Sequence, residues 1–241
     1  MPETTLRVRL LERTDNALDI IYASCRQCYS SMYAGDIYDK SVEQDDGKAG
    51  AFVKKVISSG HESPLEHAKF TFAVEGVSRA LTHQLVRHRL ASYSQQSQRY
   101  VKENDMKYIF PPSLKNDPEL REIFLDTLAH IQKGYDSIID ILKSRGVEGE
   151  KANQDARFLL PQAAETKIVV TMNCRELKHF FSHRCCTRAQ WEIRALADRM
   201  LDICRREIPE VFETAGAKCE ELEYCPEGKR FTCGRYPARG A

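Results

Sequence analysis

Polar and apolar residues alternate over Thr5–Leu11, placing Leu6, Val8 and Leu10 on one face of a half-buried strand. The period then lengthens. Ala17, Ile20, Ile21 and Cys28 fall near one helical face and predict a helix over Ala17–Ser31. Gly35–Gly50 is polar and bounded by glycine, so a loop is expected, leading into a short helix at Ala51–Ser59. Gly60–Glu66, with Pro64 inside it, reads as irregular. Phe70, Phe72 and Val74 alternate within KFTFAVEGV and predict a second strand. Ser78 is placed to cap a helix in which Leu81 and Leu85 share a face, running into Arg87-His88-Arg89.

From Leu90 to Arg99 polar residues dominate, with three serines and three glutamines, and a loop packed against something polar is expected. Pro111 and Pro112 interrupt the pattern. Asp117–Ser144 is a long amphipathic helix, with Ile123, Leu128, Ile131, Tyr135 and Ile138 toward its apolar side. Ala152–Leu160 supplies a further helical turn or two, and Thr166–Met172 is a β-branched strand. Asn173, with Glu176 three residues later, matches a capping box and starts a helix through His183. Helical patterning continues to about Phe212, and the chain after Gly216 is irregular. There is no internal repeat or clean linker. One α+β domain is expected, a small, mostly antiparallel sheet packed against long helices.

At 241 residues the chain is long enough to bury a sizeable core, and no apolar run reaches the roughly 18 residues of a membrane span. The start, MPETTLRVRLLER, puts acid and arginine where a signal peptide needs apolar residues, so a cytoplasmic protein is expected. A formal net charge of +1 argues against a general polyanion binder; neither nucleic acid nor membrane is an expected partner. Nine cysteines, an odd count, read as reduced thiols rather than a disulfide framework.

The densest chemistry is the run from Arg87 to Tyr100. Arginine forks grip phosphate oxygens in pairs, and serine and glutamine complete such a hydrogen-bond set. Arg87-His88-Arg89, then seven residues, then Ser97, with Arg99 two further on, resembles the signature of flavin-dependent thymidylate synthases. Other segments resemble the family in the same order. They are His61-Glu62-Ser63-Pro64-Leu65-Glu66-His67, Ala156 to Pro161, Asn173 to His179 with Arg184, and Ala189-Gln190-Trp191-Glu192. The resemblance runs from the first strand to Phe212.

That resemblance implies an FAD enzyme that methylates dUMP to dTMP. The carbon comes from 5,10-methylenetetrahydrofolate, and NADPH reduces the flavin. It implies a homotetramer with sites shared between subunits. Position by position, it implies that Gln84, Arg87, Gln95, Gln96, Ser97, Arg99, Arg157 and Arg184 bind dUMP, with Ser97 and Arg99 on the phosphate. Ser63, Arg87, His88, Arg89, Gln95, Asn173, Arg175 and His179 would hold FAD, and Arg184 would be the catalytic arginine. Gln95 stands where some members have glutamate, and His179 where others have asparagine. Residues 1–215 would form the catalytic domain and 216–241 an irregular, cysteine-containing tail.

The chemistry of the residues agrees. Methylation at C5 of uracil needs electron density there, supplied by a cysteine adding at C6 or by a fixed cation favouring the N3-deprotonated ring. An arginine cannot readily act as the base, so Arg184 would stabilise the anion. At ~100° per residue, Arg184 points nearly opposite Arg175 on one helix, which favours a helix serving two sites.

The remaining features read blandly. Cys174, Cys185 and Cys186 read as structural or incidental, although a helix start such as that at Cys174 can lower a thiol pKa. Cys219, Cys225 and Cys233 are spaced more widely than the close pairs of most zinc sites, and Cys25 and Cys28 read as core. No metal is expected; Pro64 breaks the helix that His61 and His67 would need. His61 remains a candidate flavin or folate contact, and His83 and His130 read as partly buried, satisfied histidines. Two alternatives stay open: a small RNA- or nucleotide-binding module, which would be colourless, and a flavin oxidoreductase indifferent to dUMP. No G-x-G-x-x-G lies between a strand and a helix, so a Rossmann domain is not supported.

Overall fold

The computed structural model describes residues 2–44 and 47–239. The chain opens with β1 (Arg7–Arg13), then α1 (Ala17–Gln27), α2 (Ala34–Gln44) and α3 (Lys48–Ser58). A 3-10 turn at Ser63–His67 leads into β2 (Lys69–Ser78), α4 (Arg79–Leu85) and β3 (Ala91–Gln95). Next come α5 (Pro112–Lys115), α6 (Pro118–Ser144), α7 (Glu150–Ala156), a 3-10 turn at Arg157–Leu159, and β4 (Glu165–Asn173). The chain finishes with α8 (Cys174–Arg184), α9 (Trp191–Glu207), α10 (Pro209–Phe212) and α11 (Lys218–Leu222). The strands form one antiparallel sheet in the order β1-β2-β4-β3, so the class is α+β as expected. Among the described residues, no helix is long and apolar enough to cross a membrane.

The chain divides into two compact units. The first takes Met1–Arg7, Ala73–Arg87 and Tyr93–Val169, and the second takes Val8–Phe72, His88–Ser92 and Val170–Ala241. The division cuts through all four strands. In the first unit α6 is the main support. Asp117 accepts hydrogen bonds from Glu119 and Leu120 N–H at 3.0 and 3.1 Å, with Pro118 pre-set at the first helical position. One end of α6 packs Leu128 against Met106, Tyr108 and Phe110; the other packs Tyr135 and Ile139 against Ala152 and Ala156. The stripe drifts around the helix, so Ile139 is buried, Ile138 only partly so, and Ile123 is 57% exposed. In the second unit Phe70 and Phe72 stack at 5.9 Å, and Phe212 meets Phe70 edge-on at 5.7 Å and Phe181 at 6.1 Å.

Two expected loops are regular. Most of Gly35–Gly50 is helical: it overlaps helix α2, Ala34–Gln44, which lies against α1 with Ile37 buried and Ser41 bonded to Asp19. Its polar residues are adequate helix formers on an exposed face, and one apolar anchor is enough once a neighbouring helix supplies the other side. Within 90–99, Ala91–Gln95 is a strand at the sheet edge, its burial alternating along the chain. Polar residues there face polar partners, so the alternation carries no hydrophobic signal. His83 and His130 are exposed, not partly buried, and of the pair expected in the core Cys25 is buried but Cys28 is exposed.

Gly76 holds β2 against the chain's first residues. Its φ is +69°, and a Cβ there would lie 1.9 Å from the Thr5 carbonyl oxygen. Neither backbone can yield cheaply. Gly76→Ala is therefore expected to lower unfolding stability by at least about 2 kcal/mol, measured by urea denaturation; a variant as stable as the parent would refute that packing.

Candidate active site

The first unit builds a polar surface from α4, β3, α7 and β4. Ser78 accepts a hydrogen bond from Leu81 N–H at 3.0 Å and starts α4, which carries Gln84 half-buried. Arg87 follows the helix, exposed, its N–H held by the Gln84 carbonyl at 3.2 Å. The Tyr93 hydroxyl donates to the Leu85 carbonyl at 2.9 Å and fixes β3 against α4. Gln95 gives its amide hydrogens to Thr82 at 3.1 Å and Thr166 at 3.2 Å.

Beyond β3 the backbone turns sharply. Gln96 N–H is tied to the Lys167 carbonyl at 2.9 Å, and Ser97 Oγ accepts from Arg99 N–H at 3.2 Å. Asn153 of α7 donates to the Arg99 carbonyl at 3.0 Å. The Arg99 guanidinium pairs with Glu150 and lies 5.7 Å from the Tyr100 ring centroid. Its Nε is buried and has no hydrogen-bond partner among the described residues. Such a donor costs about 1–3 kcal/mol when left unmet, and an anionic oxygen would satisfy it. Arg157, half-buried, opens the 3-10 turn after α7. Burial first and the Arg157 charge second pull the Arg79 guanidinium below its ordinary range, with Glu103 opposing. Two arginines acting on each other in a partly buried setting favour an anion beside them. Nothing in the local sequence pattern marks Arg79, Asn153 or Glu150 for this surface.

In the second unit the centre is His88, 7% exposed. Asn173 caps α8 by accepting from Glu176 N–H at 2.9 Å. The Glu176 carboxylate does not complete a capping box; it is buried, 3.2 Å from His88 Nδ1. From the last residue of α8, Arg184 Nε donates to His88 Nε2 at 3.1 Å. Because Nε2 accepts, the ring proton sits on Nδ1 and is donated to Glu176. Phe180 closes edge-on over the ring at 4.9 Å, and His179 lies at 5.9 Å. Burial, then Arg184, then His179 and His183, pull the His88 pKa down to about 4. The imidazole is neutral at pH 7, so the contact with Glu176 is a hydrogen bond and not an ion pair. His88, Glu176 and His179 also bring ligand-type atoms within 4.8 Å of one another, alone in doing so among the described residues. Both His88 nitrogens are already engaged there, and the Arg184 guanidinium would repel a cation.

Asn173, Arg175 and His179 line one cavity of about 510 Å³ within this unit. Arg175 pairs with Glu66, and the buried Lys178 pairs with Glu62; Ser63 sits exposed between those acids. Arg184 and His183 line a different cavity, of about 320 Å³. Helix α8 thus presents Arg175 and Arg184 to separate sites, as their helical phase requires, while His183 goes with Arg184 and not with Arg175. Arg89 is exposed just after His88. Cys174 is buried at the start of α8, and burial pushes its thiol up to about 12, the reverse of what a helix start alone would do.

The family described as Thymidylate synthase complementing protein matches residues 9–210. A flavin-dependent thymidylate synthase of Nitratidesulfovibrio vulgaris is 55% identical over 241 residues, covering 99% of this chain and 98% of its own. Proteins of that name from Clostridium tetani and Geobacter sulfurreducens are 46% and 45% identical, each covering 95% of this chain and 94% of their own.

A histidine with a depressed folded pKa contributes stability that is present above its unfolded value and lost as pH falls toward the folded one. Stability is therefore expected to fall between pH 6.5 and about 4, and less steeply in His88→Gln. Proton NMR of the folded protein should place the His88 titration near the lower limit. A ring that titrates normally would contradict the neutral bridge.

Proposed function

The chain belongs to the flavin-dependent thymidylate synthase family, and from that premise we propose which of its residues carry the reaction. The activity is the reductive methylation of dUMP to dTMP, without a cysteine nucleophile. FAD reduced by NADPH supplies the hydride, and 5,10-methylenetetrahydrofolate supplies the carbon.

One observation supports the residue assignment best: Arg184 is held through Nε by a buried neutral His88, which is itself held by buried Glu176. That hold leaves the terminal amino groups of Arg184 to donate. In our reading they face the uracil ring and stabilise the charge of its N3-deprotonated form, raising electron density at C5. Fixing the guanidinium beforehand removes the cost of reorganising it during the reaction. The burial of His88 commits its ring to this chain of bonds, so beside FAD it acts as a positioning residue, and Glu176 acts through it.

The polar surface of the first unit suits the nucleotide. Ser97 and Arg99 would take the phosphate, with the orphaned Arg99 Nε among the donors. Arg157 would add charge, with Arg79 beside it. Gln84, Arg87, Gln95 and Gln96 would surround the rest of dUMP. Glu150 occupies part of the Arg99 fork and would have to yield to a phosphate.

The donors around the α8 start fit FAD. Asn173, Arg175 and His179 share a cavity at the N-terminus of an 11-residue helix, where a pyrophosphate finds both N–H groups and positive charge. Ser63, Arg87, Arg89 and Gln95 would complete the contacts, and Arg175 would exchange Glu66 for the cofactor. A homotetramer would let α8 serve two sites at once, one from each of its ends. Residues 1–215 would then form the catalytic domain of a cytoplasmic enzyme.

Tritium release from C5-labelled dUMP tests this directly. With FAD, NADPH and methylenetetrahydrofolate present, release is expected, and Arg184→Ala should abolish it while FAD stays bound. Full activity in that variant would remove Arg184 from the chemistry, and NADPH oxidation indifferent to dUMP would indicate another flavin oxidoreductase. Ser97→Ala and Arg99→Ala should each weaken dUMP binding by about 1.5–3 kcal/mol, read by calorimetry; unchanged affinity in both would place the phosphate elsewhere.

A further inference from the structure

The cavity beside Arg184 has an unusual wall. Of the nine cysteines, four line it: Cys186 from the turn after α8, and Cys219, Cys225 and Cys233 from the C-terminal segment. None of the nine is in a disulfide. Sequence spacing alone shows three loosely spaced tail thiols; folding adds Cys186 as a fourth.

Interactions link three of the thiols to the same turn as well. Cys233 is hydrogen-bonded to Thr187, the residue after Cys186, and Cys186 and Cys219 act on each other electrostatically. Ion pairs hold the segment in place around them. Arg188 pairs with Glu227 and stacks on Phe231 at 4.3 Å, and Arg235 donates to Glu220 at 2.6 Å.

What the segment lacks is a core. After Ala217, only Cys219 and Cys225 are buried among the described residues. Regular structure amounts to the five residues of α11 and one bridge between Cys225 and Ala238. A stretch so poor in apolar burial needs another source of order, and in small irregular segments a structural metal commonly provides it.

We propose that Cys186, Cys219, Cys225 and Cys233 form a structural zinc site that fastens the C-terminal segment to the end of α8. Four thiolates around Zn²⁺ make a tetrahedral site with Zn–S bonds of about 2.3 Å. The sulfurs are more spread than that, since only His88, Glu176 and His179 have ligand-type atoms within 4.8 Å of one another among the described residues. Closing a tetrahedron around the ion therefore requires the thiols to change χ1 between staggered wells. Binding releases the four thiol protons and leaves the centre with two net negative charges. Arg188, Lys218 and Arg235 line the same cavity and offset them. The metal makes no contact with substrate; it steadies the turn two residues beyond Arg184.

The first test is metal analysis of the full-length protein from zinc-supplemented cells, purified without chelator and loaded with FAD. About one zinc per chain is expected, with release on titration of the thiols by a mercurial. Cys225→Ser and Cys233→Ser should each lose most of the zinc, whereas Cys233→His, which keeps a ligand, should retain it; exposed Cys28→Ser serves as the control. Zinc below ~0.1 per chain in the parent protein, where four ligands call for one ion, overturns the site, and this reading needs no variant to fold. Zinc that persists in both serine variants, or a disulfide between any two of the four cysteines in the native protein, overturns it equally.

Discussion

A neutral imidazole buried between a carboxylate and a guanidinium is the constraint around which the second unit is arranged. His88 can accept from Arg184 only if Nε2 is unprotonated, and it keeps that state because burial and three nearby cationic or ionisable groups oppose a second proton. Glu176 secures the tautomer from the other side. The three residues come from two places: the turn after Val86, and both ends of α8. Placing them together requires α8 to start at Asn173, run straight for its eleven residues, and cover His88 with Phe180.

The same helix presents its two ends to two separate cavities. Its first turn offers Asn173 and Arg175 to one cavity, and its last turn offers Arg184 to another. Apolar residues at Leu177, Phe180 and Phe181 are fully buried between those faces and fix the helix's rotation. A rotation of α8 would change the lining of both cavities at once, so both depend on the same packing. The first unit uses a different device. There a sharp turn after an edge strand is fixed by Ser97, Asn153 and Lys167, and Arg99 within it keeps a buried Nε without a partner among the described residues. A charged donor left unsatisfied by the protein alone is one that an anionic oxygen would satisfy.

Much of this was legible before folding was considered. The phenylalanine alternation of β2, the Ser78 and Asn173 caps, and the amphipathic α6 all follow from local rules, and the structure has each of them. Those rules need only a residue's near neighbours along the chain. The sequence also set Arg87, Gln95, Ser97 and Arg99 close together as donors of the kind that grip phosphate, and the resemblance to a family signature implied a nucleotide for them.

Only the tertiary structure decided the rest, and the reason is the same each time: the partner lies far away along the chain. Helix α2 looks like a loop until α1 supplies its other side, and β3 looks like a loop until its polar side chains find Thr82, Thr166 and the Leu85 carbonyl. Glu176 resembles half of a capping box, yet its carboxylate turns to a histidine 88 residues away. Cys186 gains meaning only beside three thiols of the C-terminal segment. Residue types and spacings determined which chemistry this chain carries. The long-range burial of polar groups, which must find partners wherever the fold provides them, decided which residues hold that chemistry in place.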